Sequence, residues 1–345
     1  MLDYPNIRTI QLELSTLCNA ACPQCARNVC GFDIPDLPVH KWSLQSIKQY
    51  LPVDFIQQLE LIYFCGSYGD PFMTVDFIDI AKYFRSVNPN IKLGAHTNAS
   101  LRTPKFFAEC ADVLDFIGFG IDGLEDTNHL YRRNCFWNKI IENANAFIQA
   151  GGHAEWDFIV FEHNQHQVET ARALSKQLGF AKFNVKKTCR FLNYNHELVN
   201  SYNVADEYKI YPPSDPLYYN RAYDDIKTTD LEQYKAETCI KCNAVRINEI
   251  YIGADGYVFP CGWLSDRLYQ TTVIGTPDNL KIWEQLEQKP SNVFKHHVRD
   301  IVDGEWFTWI RNSWTNENRL DRCAMMCGTG INVIGEQNTD VSYKV

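Results

Sequence analysis

The chain reads as an α/β protein: a partial (β/α)6 barrel followed by a small C-terminal unit built from a β-hairpin and helices. Three observations predict this. Short apolar strand patterns alternate with amphipathic helical patterns over roughly the first 190 residues, and the strands recur at about 30-residue intervals, the length of a βα unit. Beyond about residue 235 the alternation stops, and a cysteine-bearing hairpin and a Trp-rich helical tail take over.

The first strand is read from Ile10, Leu12 and Leu14 alternating with Gln11 and Glu13, a period of two with one polar face. Five further strands are read in LELIYFC, IKLGAHT, FIGFGID, WDFIVF and AKFNVK. Between them VDFIDIAKYFRSV, FWNKIIENANAFIQA and VETARALSKQLGF carry helical spacing, and Gly179 stops the last of these. Strands joined by helices make a parallel sheet, so binding groups belong on the loops after the strands, at the C-terminal mouth of the barrel. We place the barrel at 1–190 and a polar, Tyr- and Pro-containing bridge at 191–235. The C-terminal unit then covers 236–345, where NEIYIGADGYVFPCGW forms two short strands around a turn at Asp255 and Gly256.

With 345 residues, 45% hydrophobic and 22% charged, the composition is that of a globular protein of about two domains. No apolar run reaches the roughly 20 residues of a membrane span, and the N-terminal segment lacks the pattern of a signal peptide, so a cytoplasmic location is expected. The net charge of −9 argues against binding nucleic acid through many phosphates. Thirteen cysteines in such a protein point to metal or redox sites before disulfides.

Cys18, Cys22 and Cys25 follow the first strand in the pattern C-x3-C-x2-C. A compact loop with this spacing directs three sulfurs at one face of an iron–sulfur cubane and leaves the fourth iron open to chelate a substrate. The alternative is a structural zinc site, which needs a fourth ligand, and His40 is the nearest histidine that supplies one.

The loop resembles the cysteine motif of the radical S-adenosylmethionine (SAM) superfamily, and other motifs follow in the order that superfamily has them. The resemblance implies a partial TIM-like barrel, a [4Fe–4S] cluster on Cys18, Cys22 and Cys25, SAM on its open iron, and a flavodoxin- or ferredoxin-like electron donor. Within GSYGDP, Tyr68, Gly69 and Asp70 match the stretch that presents backbone groups to the SAM amino group. Thr97 and Asn98 match the Thr-Asn at the end of the third strand. In GIDGLEDTNHLYR, Asp122 and Arg132 fall in the stretch that ends the fourth strand, and Arg132 would pair with the SAM carboxylate, a task suited to a guanidinium fork. Two departures stand out: Gly120 replaces a frequent Ser that reaches the SAM ribose, and Gln24 replaces a frequent aromatic near the adenine.

Cys242, Cys261, Cys323 and Cys327 form a second set, able to close a [4Fe–4S] site or a structural zinc site. Cys242 and Cys261 flank the hairpin, and Cys323 and Cys327 are spaced i, i+4. Cys239 is an alternative to Cys242. The pattern resembles the Twitch domain, the shortened SPASM domain of radical SAM enzymes, and implies a second, auxiliary [4Fe–4S] cluster. Cys30, Cys65, Cys110, Cys135 and Cys189 are read as buried small hydrophobes.

The resemblance implies an oxidoreductase or related radical enzyme that cleaves SAM to a 5′-deoxyadenosyl radical and abstracts hydrogen from an unactivated carbon. Oxidative modification of a peptide or protein side chain is the first reading, since many SPASM and Twitch relatives do this and the Tyr-rich bridge offers a groove. Dehydrogenation or rearrangement of a small polyol or aminosugar-like metabolite is the alternative, with nucleotide modification third. The first strand begins by about residue 8, so no leader-peptide-binding domain is expected before the barrel. Glu162, His163, Asn164 and Lys187 lie near strand ends as possible proton acceptors, none favoured over another.

Overall fold

The computed structural model describes residues 2–35, 37–193, 196–272, 276–315, 319–331, 333 and 338–342. Tyr194 and Asn195 of the predicted bridge lie outside the described residues. All six predicted strands form: β1 (Thr9–Leu12), β2 (Leu61–Phe64), β3 (Lys92–Thr97), β4 (Phe116–Gly120), β5 (Ala154–Val160) and β6 (Lys182–Lys187). Each is parallel to the next in chain order.

The sheet does not stop at these six. The predicted hairpin forms as β7 (Glu249–Ile252) and β8 (Val258–Phe259), turned at Gly256 with φ +82°. Its first strand lies parallel to β1, with Thr9 opposite Glu249 and Gln11 opposite Tyr251. A last strand, β9 (Asn338–Ser342), pairs antiparallel with β6, giving the order β8-β7-β1-β2-β3-β4-β5-β6-β9. The sheet thus runs on into the segment predicted to fold as a separate unit.

Helices α1 (Leu44–Tyr50) and α2 (Val53–Gln58) cross from β1 to β2. After them come α3 (Phe77–Val87), α4 (Pro104–Ala111), α5 (Asn128–Tyr131), α6 (Trp137–Gln149) and α7 (Val168–Leu178). Their ends follow local chemistry. Thr103 accepts the Phe106 N–H ahead of Pro104, and Gly179 closes α7 in the left-handed region at φ +89°. The apolar positions of the strands, among them Ile10, Ile62, Leu93, Ile117 and Trp156, are buried in one core with Phe55, Phe84, Phe107 and Phe147 from the helices. Burial of this kind stabilises by about 25 cal/mol per Å² of apolar surface.

The opposite strand face is polar: Gln11, Tyr63, His96, Glu155, Asp157, Lys182, Asn184 and Lys186 alternate with the core positions. Helices α8 (Ala222–Thr228), α9 (Leu231–Glu237), α10 (Asn243–Arg246), α11 (Gly262–Ser265), α12 (Pro277–Gln288), α13 (Val298–Val302), α14 (Glu305–Asn312) and α15 (Asp321–Cys327) follow, and two small antiparallel pairs, Asn28–Val29 with Phe32–Asp33 and Tyr202–Val204 with Tyr208–Ile210, stand apart from the main sheet. The bridge tyrosines are tied down: Tyr202, Tyr208 and Tyr223 donate their hydroxyls to the carbonyls of Leu192, Leu130 and Thr188. Among the described residues no helix is long and apolar enough to cross a membrane.

Candidate functional site

The chain leaves β1 through Cys18, Cys22 and Cys25. Cys25 N–H donates to the Cys22 carbonyl at 3.1 Å, and Asn28 donates from its backbone to Cys25 (2.9 Å) and from its side chain to Cys22 (3.0 Å). This folds the cysteine loop into linked turns. The three cysteines line one cavity with Tyr68, Gly69, Asp70, His96, Thr97, Asn98 and Arg132, so the predicted motif residues converge except Asp122, which stands behind Arg132. His40, the possible fourth zinc ligand, does not line it.

The sulfurs meet donors. Cys18 Sγ accepts from the Ala20 N–H at 3.4 Å and from Asn98 Nδ2 at 3.5 Å, while Arg132 Nη1 lies 4.0 Å from Cys22 Sγ. Burial pushes all three thiols up, Cys22 to about 11 against the pull of Arg132. Thiolates here need a cation, which the irons of a cluster supply. Among the described residues no three His, Cys, Asp or Glu side chains converge tightly enough for one metal ion, whereas a cubane spreads its ligands around a larger body. The donor set fits a cluster.

Asp70 is spent on structure. One carboxylate oxygen accepts the Thr97 hydroxyl (2.8 Å) and the Asn98 N–H (3.0 Å), and the other caps Phe72 N–H at 3.0 Å. The side chain therefore joins two cavity loops. Asp122 is wholly buried and accepts from Arg132 Nε (2.6 Å) and Ile159 N–H (2.6 Å), leaving the Nη groups of Arg132 facing the cavity. Gly120 makes this possible, because a Cβ there would sit 2.5 Å from Arg132 Nη2. The departure noted in the sequence thus makes room for the guanidinium. Gln24 and Arg190 exchange bonds: Gln24 Nε2 donates to the Arg190 carbonyl (3.2 Å) and Arg190 Nη1 to the Gln24 carbonyl (3.0 Å).

Sequence reasoning missed several residues. Glu13, at the end of β1, accepts the N–H groups of Tyr68 (2.6 Å) and Gly69 (2.9 Å). On the polar strand face His96 Nε2 lies 3.1 Å from Asp157 Oδ2, which also takes Lys186 Nζ at 2.7 Å, while Asn184 donates to Oδ1 at 2.9 Å. Burial alone would raise the Asp157 carboxyl; the His96 bond and the Lys186 ammonium outweigh it and hold it below the usual carboxylate range. The signal was available as polar residues at every second strand position. Of the proton acceptors considered, Asn164 is a buried structural link to Asp122 and Ile159 carbonyls, and burial drives His163 down to about 4, with His129 and His166 adding to it.

The second set is assembled from distant elements. Cys242 precedes α10, Cys261 precedes α11, and Cys323 and Cys327 lie one turn apart on α15. All four line one apolar cavity with Pro260, Leu264, Ile310 and Trp314. The Cys242 thiol donates to Cys327, holding Cys242 up and Cys327 down, and burial pushes Cys261 up to about 12. Cys239 is exposed and does not line the cavity. Asp278 caps α15 by accepting from Asp321 and Arg322 N–H groups, and the buried Arg322 binds the carbonyls of Trp263 and Asp266.

Between the two sets lies a cavity of ≈ 250 Å³, with Cys65, Gly66 and Ser67 on one side and Cys242, Cys261 and Cys327 on the other. Gln11, Glu249 and Arg190 also line it, and burial pushes the Glu249 carboxyl up to about 7 against the Gln11 bond. The reading of the remaining cysteines as buried hydrophobes holds for Cys110, Cys135 and Cys189, which are buried. It is corrected for Cys65, which lines both cavities because it follows directly on β2, two residues past Tyr63 of the polar face, and for Cys30, a partly exposed turn residue at φ +53°.

Residues 12–174 match the family model described as the Radical SAM superfamily. That superfamily uses a [4Fe–4S] cluster and SAM for radical catalysis. No curated protein sequence matches the chain. Among solved structures the fold is similar to anSMEcpe with bound AdoMet (TM-score 0.61, 13% identity, 93% of this chain and 86% of that one). It is similar also to Streptococcus suis SuiB bound to S-adenosylmethionine (TM-score 0.56, 14% identity, 91% and 68%). A third is anSMEcpe with bound AdoMet and the Cp18Cys peptide (TM-score 0.56, 12% identity, 93% and 88%).

Proposed function

We propose that the protein is a radical SAM oxidoreductase that modifies a peptide or protein side chain, with SAM in the barrel cavity and an auxiliary [4Fe–4S] cluster in a Twitch-like C-terminal unit. The observation that carries this reading is the ≈ 250 Å³ cavity with the SAM-loop residues on one wall and three cysteines of the second set on the other. Such a chamber lets a substrate carbon face SAM while its electron leaves on the other side.

When bound, the clusters and SAM supply a 5′-deoxyadenosyl radical for hydrogen abstraction and an acceptor for the remaining electron. The protein's residues do the rest. Cys18, Cys22 and Cys25 would hold the first cluster; Cys242, Cys261, Cys323 and Cys327 would hold the second. Tyr68, Gly69, Asp70, Thr97 and Asn98 shape the SAM amino site, and Arg132, fixed by Asp122, offers its Nη groups to the SAM carboxylate. An electron donor of flavodoxin or ferredoxin type completes the system. The peptide reading draws on the neighbour that holds a peptide, and dehydrogenation of a small polyol or aminosugar remains the second reading because the cavity walls carry Glu249, Gln11 and Arg190.

Anaerobic reconstitution tests the cofactors, with about eight irons and eight sulfides expected per chain. A stoichiometric zinc content without iron would sink the reading. With a deuterated candidate peptide, one singly deuterated 5′-deoxyadenosine should form per product; return of deuterium to product would mean isomerisation instead of oxidation.

A further inference from the structure

We propose that Glu13 is a positioning residue for SAM: its carboxylate holds the Tyr68–Gly69 loop in the binding conformation and ties that loop to Tyr251 of the C-terminal hairpin. The inference rests on the reading of the barrel cavity as the SAM site. Glu13 stands between two parts of the molecule. Oε1 accepts the N–H groups of Tyr68 (2.6 Å) and Gly69 (2.9 Å), and Oε2 accepts the Tyr251 hydroxyl at 2.6 Å. The Tyr251 oxygen in turn accepts the Ser67 N–H at 3.3 Å.

A trans peptide points its C=O opposite its N–H. With the N–H groups of residues 68 and 69 turned to Glu13, the carbonyls of Ser67 and Tyr68 are turned away from it, and the Ser67 carbonyl lies 3.8 Å from Cys25 Sγ. Those carbonyls are the acceptors an ammonium group at the cluster would need.

Two glycines accommodate the contact. A Cβ at Gly66 would meet Glu13 Oε1 at 2.1 Å, and one at Gly69 would meet the Ser15 carbonyl oxygen at 1.7 Å, so the loop lies against the end of β1 only as G-x-x-G. The groups facing Glu13 are Tyr251 from β7, Tyr68 from the loop, Cys65 from the end of β2 and Asp255 from the hairpin turn. No cation pairs with Glu13 among the described residues. Burial pushes its carboxyl up to about 7, against the bonds from Tyr251, Tyr68 and Gly69. Three donors converging on it suit the ionised, acceptor-only form, so the loop is held more firmly as pH rises through about 7.

Anaerobically reconstituted wild type, Glu13→Gln and Glu13→Leu are compared for SAM affinity by calorimetry between pH 6 and 8. Glu13→Leu should bind SAM about tenfold more weakly, the loss expected when two N–H groups lose a charged acceptor. The ratio of wild-type to Glu13→Gln affinity should rise with pH, a difference that cancels the titration of SAM itself. In the cluster-free chain, hydrogen exchange at the Tyr68 and Gly69 amides should accelerate in Glu13→Leu while the β4 and β5 amides stay protected. Equal SAM affinity of wild type and Glu13→Leu, a pH-independent ratio, or unchanged exchange at 68 and 69 would each overturn the role of Glu13. Failure of the wild type itself to bind SAM would overturn the functional reading instead.

Discussion

The two cysteine sets differ in how the chain builds them. Cys18, Cys22 and Cys25 come from one loop whose turns are closed by its own hydrogen bonds and by Asn28, and Asn98 and Arg132 bring polar donors from two other segments to their sulfurs. Cys242, Cys261, Cys323 and Cys327 come from the ends of a β-hairpin and from a helix capped by Asp278, and their wall is apolar, with Ile310, Leu264 and Trp314. Polar donors at the sulfurs suit a centre that binds a charged ligand. An apolar wall with four thiols suits one whose ligation is complete. The first set therefore depends on local chain geometry and the second on the packing of the whole C-terminal segment.

Four measurements bear on this contrast. The largest effect is expected from replacing Cys18, Cys22 and Cys25 together by Ala: reconstituted iron should fall from about eight to about four atoms per chain and reductive SAM cleavage should vanish. Retention of cleavage would remove the triplet from the site.

Next, Cys261→Ala or Cys327→Ala should lose about four irons yet still cleave SAM with dithionite. Cys239→Ala should keep the full iron content, because that side chain is exposed and away from the cavity. A folded Cys261→Ala protein lacking all iron would show the two sets to be interdependent.

Arg132→Ala should weaken SAM binding by about 1.5–3 kcal/mol, the range for bonds to charged groups. Calorimetry on Arg132→Ala combined with Asp122→Asn separates loss of the ligand contact from the cost of a stranded buried carboxylate. Gly120→Ala should act in the same direction, since its Cβ displaces the guanidinium; unchanged affinity in all three would discard Arg132.

The smallest effect concerns Asp157. Its carboxyl is held below the unfolded value, so its stabilising contribution is present above the ordinary carboxylate pKa and is lost as pH falls through the folded one. Urea unfolding should find Asp157→Asn about 1–2 kcal/mol less stable at pH 7, allowing for the partial exposure of His96 and Lys186, with the gap narrowing below about pH 4. A gap constant with pH would mean that packing, not charge, is lost.

Much of the barrel is legible in the amino-acid sequence. Strand alternation at Ile10, Leu12 and Leu14, the helix stop at Gly179 and the spacing of Cys18, Cys22 and Cys25 are local patterns, set by pleat, backbone conformation and loop length over a few residues. They specify the six strands, their order and the triplet loop. Contacts between residues distant in the chain set the rest. The hairpin strand Glu249–Ile252 joins the sheet edge beside β1 because that edge has unpaired backbone groups to satisfy, a fact no local pattern carries. The same pairing puts Tyr251 against Glu13 and Glu249 beside Gln11. Cys242 over Cys239 is likewise a matter of packing, since both sit in one short loop and only Cys242 lines the cavity beside α15. The role of Gly120 becomes readable only once Arg132 lies across it, because the reason for a missing side chain is the atom that occupies its space.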